Sequence, residues 1–311
     1  MRKAYLELHL AVFLFGFTAI LGKLITIPAV SLVWWRVMIT SVSLLFLVGI
    51  VRTLRQVPMK RILQYVGIGC IVALHWITFF GSIKTSNASI ALAALATTSF
   101  FTSLIEPLIM RQRALGFEIL LALLIVPAMI LVAHGIDPEM HMGIWLGLAS
   151  AILAAFFASL NKLLISHAKP LQITFFELGS AFLFVSLILL IIQFMLPDNG
   201  MLQGIDFRLH LPKGLDWVYL LILALICTTF AYVLAIKVLH HISAFAANLV
   251  INLEPVYGIT LAWILLKENR ELTPGFYIGV FIIIGVVFLY PFIKWRKGSR
   301  DQRIKGQNAR G

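Results

Sequence analysis

Apolar residues run through this chain in long blocks, interrupted at regular intervals by short polar or helix-breaking segments. About 20 mostly apolar residues let a helix cross a bilayer. The blocks predict ten such spans, at roughly 4–22, 30–51, 61–83, 87–110, 117–135, 142–165, 172–195, 215–237, 243–266 and 274–293. The breaks fall at Pro28, at 52–61, 84–87 and 111–116, at Asp137-Pro138, at Lys169-Pro170, at 197–214, at His240-His241 and at 267–274. Most of these connections are short, so consecutive spans are antiparallel neighbours. The only sizeable loop, 197–214, is too small to be a domain.

Composition strengthens that reading. Of 311 residues, 61% are hydrophobic and 12% charged, with a mean hydropathy of +0.99. Soluble domains are about 45–50% apolar and about 25% charged. A globule of this length has too much surface to hide so much apolar side chain, which excludes most soluble enzyme classes. The net charge is +12. In a soluble protein that excess would suggest nucleic acid; here the basic residues flank spans, the usual mark of cytoplasmic loops. With the N-terminus inside, 18 Lys and Arg lie in inner segments, including the tail after Trp295, and 6 in outer ones. Both termini are therefore expected in the cytoplasm. Cys70 and Cys227 lie in apolar runs and predict neither a disulfide nor a metal site. The first apolar run has no convincing cleavage site, so it is read as a span and not a signal peptide.

The spans repeat. FGFTAILGKLI (15–25) matches AAFFASLNKLLI (154–165), placing Lys23 on Lys162. SLVWWRVMITSVSLLFL (31–47) matches LQITFFELGSAFLFVSLIL (171–189), placing Arg36 on Glu177. ATTSFFTSLIEPLIMRQR (96–113) meets NLEPVYGITLAWILLKENR (252–270), placing Ser99 on Pro255 and Gln112 on Glu268. Three matches in one order divide the chain into two five-helix halves, 1–139 and 140–295, followed by a basic cytoplasmic tail, 296–311. Five is odd, so the halves insert with opposite orientation. The predicted fold is an all-α membrane protein of ten transmembrane helices in two inverted five-helix repeats, an architecture suited to alternating access around a midplane site.

These features resemble the drug/metabolite transporter superfamily in its EamA-type branch: the doubled five-helix unit, the Lys ending the first span of each half, the aromatic-Arg start of the second span, and NLEPVYG…LLKE…LTPGFYIGVFIIIGVV. The resemblance covers about residues 5–293 and is most specific over 243–290. The first half departs from the pattern, with Ser99 where a Pro is common and Gln112 where a Glu is common. The resemblance implies a transporter of amino acids, related metabolites or drugs, commonly working outward, and a bacterial inner (plasma) membrane location.

A charge in a span costs about 2.5–3.5 kcal/mol at the centre on insertion scales, so each needs a reason. Glu254 lies near mid-span just before Pro255, which frees the carbonyl of Ile251. It is read either as a structural carboxylate or as a proton carrier. Asn248 and Asn252 are four residues apart and share a helix face. His75 stands past the middle of the third span, beside Trp76 and on one face with Phe79. Thr228 and Tyr232 form a second i, i+4 pair, and Tyr232 is the repeat counterpart of Trp76. The expected substrate-binding set is His75, Trp76, Phe79, Thr228, Tyr232, Asn248 and Asn252; for each the competing reading is ordinary packing or interhelical hydrogen bonding. Arg36 either snorkels outward or attracts an anionic group. Glu106 is expected to pair with Arg111 and Arg113, and Lys23 and Lys162 to cap their helices.

The aspartates, Asp137, Asp198, Asp206, Asp216 and Asp301, are read as lying outside the spans. Metalloprotease, nucleophile-elbow and P-loop signatures are absent. The expectation is a secondary transporter with no cofactor and no metal, its partners a small-molecule solute and the lipid bilayer, with no nucleic acid; a homodimer is compatible with it. The solute best suited to a mostly apolar cavity with a few polar anchors is amphiphilic, such as an amino acid, and a phosphate site would want several cations at mid-depth. The alternative from another class is a membrane-embedded enzyme acting on a lipid-linked substrate.

Overall fold

A computed structural model describes residues 2–49, 53, 56–111, 116–195, 201–202, 205–239, 250–251, 253–286, 288–289 and 293. The chain is an integral membrane protein built from helices. Helix α1 spans Arg2–Leu24, α2 Ala29–Leu47, α3 Met59–Thr85, α4 Ala88–Leu95, α5 Thr98–Met110, α6 Gly116–His134, α7 His141–Leu164 and α8 Pro170–Met195. Then come α9 (Asp216–Leu221), a π-helical stretch Ile222–Phe230, α10 (Ala231–Leu239), α11 (Glu254–Leu261), a second π stretch Ala262–Leu266, and α12 (Pro274–Val286). Among the described residues seven helical stretches are long and apolar enough to cross a membrane: Leu6–Leu24, Ala29–Leu47, Met59–Thr85, Ala88–Met110, Pro138–His167, Pro170–Met195 and Asp216–Ala235. Helix α6 and the shorter apolar stretches Glu254–Leu266 and Pro274–Val286 fall within the remaining expected spans.

Several details differ from the sequence reading. The fourth span is broken at Ala96–Thr97, and α5 carries Pro107 in its interior. The loop after α8 holds a small antiparallel pair, Met201–Leu202 with Ile205–Asp206. Asp216, expected outside the spans, is the first residue of α9 and is buried. It accepts hydrogen bonds from the Thr26 amide at 2.8 Å and the Thr26 hydroxyl at 2.6 Å, which is why a carboxylate is tolerated there. Glu106 pairs with Lys162, and among the described residues no ion pair joins it to Arg111, because α5 lies against α7; Arg113 lies outside the described residues.

The two halves interlock. Helix α1 crosses α11 where Gly16 meets Gly258; a Cβ on Gly16 would come within 2.9 Å of the Gly258 amide nitrogen. His9 and Tyr257 reinforce this crossing with a 2.8 Å hydrogen bond between ring nitrogen and hydroxyl. Helix α3 packs on α8 through Gly69, where a Cβ would stand 2.2 Å from the Glu177 carbonyl oxygen. Small residues let helix backbones approach closely enough for dispersion contacts to hold them in lipid, where burial from water cannot.

Polar contacts gather at the two ends of the bundle. At one end, the Lys23 ammonium donates to the carbonyl of Ser86, the residue after α3, at 3.0 Å, and so reaches another helix and not the end of its own. There too, Glu268 accepts from the amides of Ala88 and Ser89, at 2.9 and 2.8 Å, and satisfies the start of α4. Ser31 and the Trp35 indole donate to the carbonyls of Arg208 and His210. At the other end, the Tyr65 hydroxyl donates to the Leu164 carbonyl at 3.1 Å, and Gln172 donates to Gln56. In the loop before α9, Arg208 chelates Asp206, and His210 lies 2.9 Å from it. The Arg208 side chain is the main cause that holds the Asp206 carboxyl down, to about 2.

Two predictions follow from this packing. Gly69→Ala forces backbone apart at the α3–α8 contact, whereas Gly67→Ala meets nothing within 4 Å. Overpacking typically costs about 1–3 kcal/mol. Thermal melting of the purified variants in one detergent should show a clear loss for Gly69→Ala and none for Gly67→Ala; equal melting points would refute the packing. The Asp206 pair should stabilise the loop fully above an ordinary aspartate's pKa, near 3.9, and lose that contribution only as pH falls through about 2. Carboxyl-carbon NMR of labelled aspartate, compared with Asp206→Asn, should show the Asp206 signal still ionised at a pH where ordinary aspartates are protonated.

Candidate functional site

Arg36 occupies the centre of the candidate site. It lies seven residues beyond the start of α2, about 10 Å along the helix at 1.5 Å per residue. It does not snorkel: the residue is 4% exposed. Its guanidinium carbon stands 3.8 Å above the centroid of the Trp76 ring and 5.5 Å from that of Phe80. A desolvated cation over an indole face gains about 2 kcal/mol from the ring quadrupole. Arg36 Nε also donates to the Thr228 hydroxyl at 2.8 Å.

The local helix geometry prepares that acceptor. Residues 222–230 wind as a π-helix, a form that in short stretches is frequent at functional sites. The Thr228 hydroxyl spends its proton on the Leu223 carbonyl, five residues back, at 2.7 Å. Its oxygen lone pairs are thereby turned toward Arg36. The terminal guanidinium nitrogens have no hydrogen-bond partner among the described residues.

Tyr232 and Glu254 are electrostatic neighbours of Arg36. Both are half-buried. Glu254 begins α11, with Pro255 immediately after it. No ion pair joins Glu254 to Arg36 among the described residues. Phe15 of α1 closes on Tyr232, edge to face, with centroids 6.2 Å apart. The group thus holds a cation and a carboxyl set apart from each other, with aromatic rings of α1, α3 and α10 around them.

Of the expected substrate-binding residues, Trp76, Thr228 and Tyr232 meet around Arg36. His75 is likewise an electrostatic neighbour of Arg36, but its ring and that of Phe79 turn toward α7. His75 Nδ1 is 2.8 Å from the Ser150 hydroxyl, which itself donates to the His75 carbonyl at 3.1 Å. The His75 ring packs between Phe79 and Phe157, at 6.2 and 5.3 Å between centroids. Asn248 and Asn252 lie outside the described residues. Arg36 is the residue that periodicity left undecided; a charge inside a span, directly after Trp34-Trp35, is the signal that marks it. Among the described residues no group of three or more His, Cys, Asp or Glu is placed to hold a metal ion.

The pattern of the EamA-like transporter family matches this chain twice, over residues 2–133 and 141–292. The chain belongs to the EamA-like transporter family. This transporter is similar to the uncharacterized transporter YetK of Bacillus subtilis (strain 168), with 28% identity over 303 residues, covering 92% of this chain and 86% of that one. A solved crystal structure with 16% identity matches 95% of this transporter and 99% of its own chain at a TM-score of 0.60, a likeness of fold.

The Arg36 cluster should be sensitive to shape as well as charge. Arg36→Lys keeps the cation but cannot stack a plane on Trp76 while donating to Thr228 and presenting further donors. Solute binding by Arg36→Lys, measured by calorimetry on purified protein, should fall about tenfold or more, as for one lost charge-assisted hydrogen bond. Wild-type affinity in Arg36→Lys would remove Arg36 from the site.

Proposed function

We propose that this transporter moves a small zwitterionic, amphiphilic solute, an amino acid or close relative, outward across the bacterial inner membrane by alternating access. The observation that carries the reading is that Arg36 and Glu254 are electrostatic neighbours with no ion pair between them among the described residues, set among aromatic rings. Arg36, fixed by Trp76 and Thr228, has terminal donors that no other described residue takes, and these can meet a carboxylate. Glu254 offers a counter-charge to an ammonium, and Trp76, Tyr232 and Phe15 offer apolar surface to a side chain. A solute bearing both charges satisfies both groups at once, whereas a simple cation or anion leaves one of them desolvated and unmatched. A sugar phosphate would need more than one cation at this depth.

The architecture we infer is ten transmembrane helices in two inverted repeats, 1–139 and 140–295, with both termini and the 296–311 tail cytoplasmic. The paired family matches support the repeat. Contacts between segments assigned to the same membrane side support the alternation: Thr26 with Asp216 and Lys23 with Ser86 on the outer side, Lys162 with Glu106 on the inner. Asn248 and Asn252 are proposed to extend the binding face, and Glu254 to exchange a proton as the cavity alternates. His75, with Ser150 as its partner, and Phe79 would shape the α3 wall from behind Trp76.

Flux measurements in proteoliposomes test the solute class. An apolar amino acid should exchange, and neither its decarboxylated amine nor its deaminated acid should compete for uptake. Arg36→Leu should abolish exchange at equal membrane abundance. Competition by amine and acid equal to that by the parent amino acid would sink the zwitterion reading. For topology, a fluorescent protein fused after Gly311 should fluoresce and alkaline phosphatase at the same point should be inactive; the reverse result would invert the assignment.

A further inference from the structure

The contact between α7 and α8 contains a shortage of donors. Glu177 is 1% exposed. Its Oε2 accepts from the Asn161 amide nitrogen at 3.3 Å. Its Oε1 is buried with no hydrogen-bond partner, and so is the Asn161 carbonyl oxygen Oδ1. Two buried acceptors on two touching side chains are thus unsatisfied together. Rotating the Asn161 amide by half a turn does not help, since it exchanges nitrogen for oxygen and leaves the count of donors unchanged. One added proton on the carboxyl does help: a hydroxyl at Oε1 is a donor of the kind Asn161 Oδ1 lacks, and one bond between the two would satisfy both.

Among the described residues the surroundings offer no other donor. Gly69 of α3 presses on the Glu177 backbone, so close that a Cβ there would stand 2.2 Å from its carbonyl oxygen. Ser180 donates to that same carbonyl at 2.9 Å and gives nothing to the carboxyl. From α3, Tyr65 faces this region with its hydroxyl committed to the Leu164 carbonyl, and Arg61 near it is bonded to Gln64. From α2, Ser41 donates to the Leu178 carbonyl. From α10, Tyr232 is an electrostatic neighbour without a bond to Glu177. From α7, Lys162, adjacent to Asn161, is engaged by Glu106. An ionised carboxylate in this place would be a buried charge with a single weak donor, the arrangement that folded proteins avoid.

We propose that Glu177 holds a proton in this conformation and that Glu177 and Asn161 together form a proton-binding site, a carboxylic acid closed on an amide, distinct from the Arg36–Glu254 group. The site lies at the junction of the last turn of α7 and the first turns of α8. Parting those helices would withdraw Asn161, admit water and release the proton from Oε1 as the carboxyl ionises. The assignment of the proton does not depend on which solute is carried; only its use in coupling rests on the transport reading.

Infrared spectroscopy of the full-length protein in lipid at neutral pH separates the two. The difference between wild type and Glu177→Gln should contain a protonated-carboxyl stretch that shifts in deuterium oxide. Glutamine is suited to the comparison because its amide reproduces one donor and one acceptor and keeps the fold. In Asn161→Leu the same stretch should move to higher frequency, as for a carboxyl that has lost its hydrogen bond. A wild-type minus Glu177→Gln spectrum showing only carboxylate bands would overturn the proposal, and an unmoved stretch in Asn161→Leu would overturn the pairing. Failure of amino acid flux with the protonated stretch present would count against the solute reading and leave the proton site intact.

Discussion

A guanidinium that cannot leave the membrane organises this protein. Arg36 is too deep and too enclosed to reach water, so its charge must be met by the protein. Trp76 meets it with a ring face and Thr228 with a lone pair. Each of those partners makes a demand in turn. Trp76 requires α3 to lie flat against α2. Thr228 requires its hydroxyl proton to be used elsewhere, and the π-helical winding of 222–230 brings the Leu223 carbonyl into position for that. Helices α2 and α3 and the π-helical stretch 222–230 are therefore tied at one point, between segments far apart in the chain.

Around that point the bundle is held by close approach and not by burial from water. Gly16 against Gly258 and Gly69 against the Glu177 carbonyl are contacts a single methyl group would break. Buried carboxylates at helix ends, Asp216 for Thr26 and Glu268 for Ala88 and Ser89, satisfy amides that lipid could not. Such a scaffold is stiff along each helix, and its helices meet at local points of close approach and polar contact, which suits rigid bodies that move against one another. It also sets the chemistry: a cation and a carboxyl kept apart at the centre, and a neutral acid–amide pair to one side.

The apolar helices and the family were legible in the sequence. So were three of the residues that meet at the centre, Trp76, Thr228 and Tyr232, because i, i+4 spacing and the repeat offset place them on related faces. His75 and Phe79 were grouped with them by proximity along the helix. The structure turns them to α7, since a buried imidazole goes to the nearest hydroxyl and carbonyl, here both of Ser150. Glu106, expected to pair with neighbouring arginines, meets Lys162, a contact made by packing between helices.

What the sequence determined by itself is what depends on length, periodicity and composition: that the chain is built of apolar helices that enter the membrane, and that it carries the family pattern twice. A bilayer penalises every unpaired backbone group, so these features are written residue by residue. What only the tertiary structure decided is which polar side chains meet. Arg36 and Thr228 are 192 residues apart, and their bond exists because two helices cross at one angle with the π winding turning Thr228 inward. Glu177 and Asn161 are one loop apart, and the missing donor between them shows only when every atom around both has been placed. Charge in a span announces that a partner is needed; three-dimensional packing chooses it.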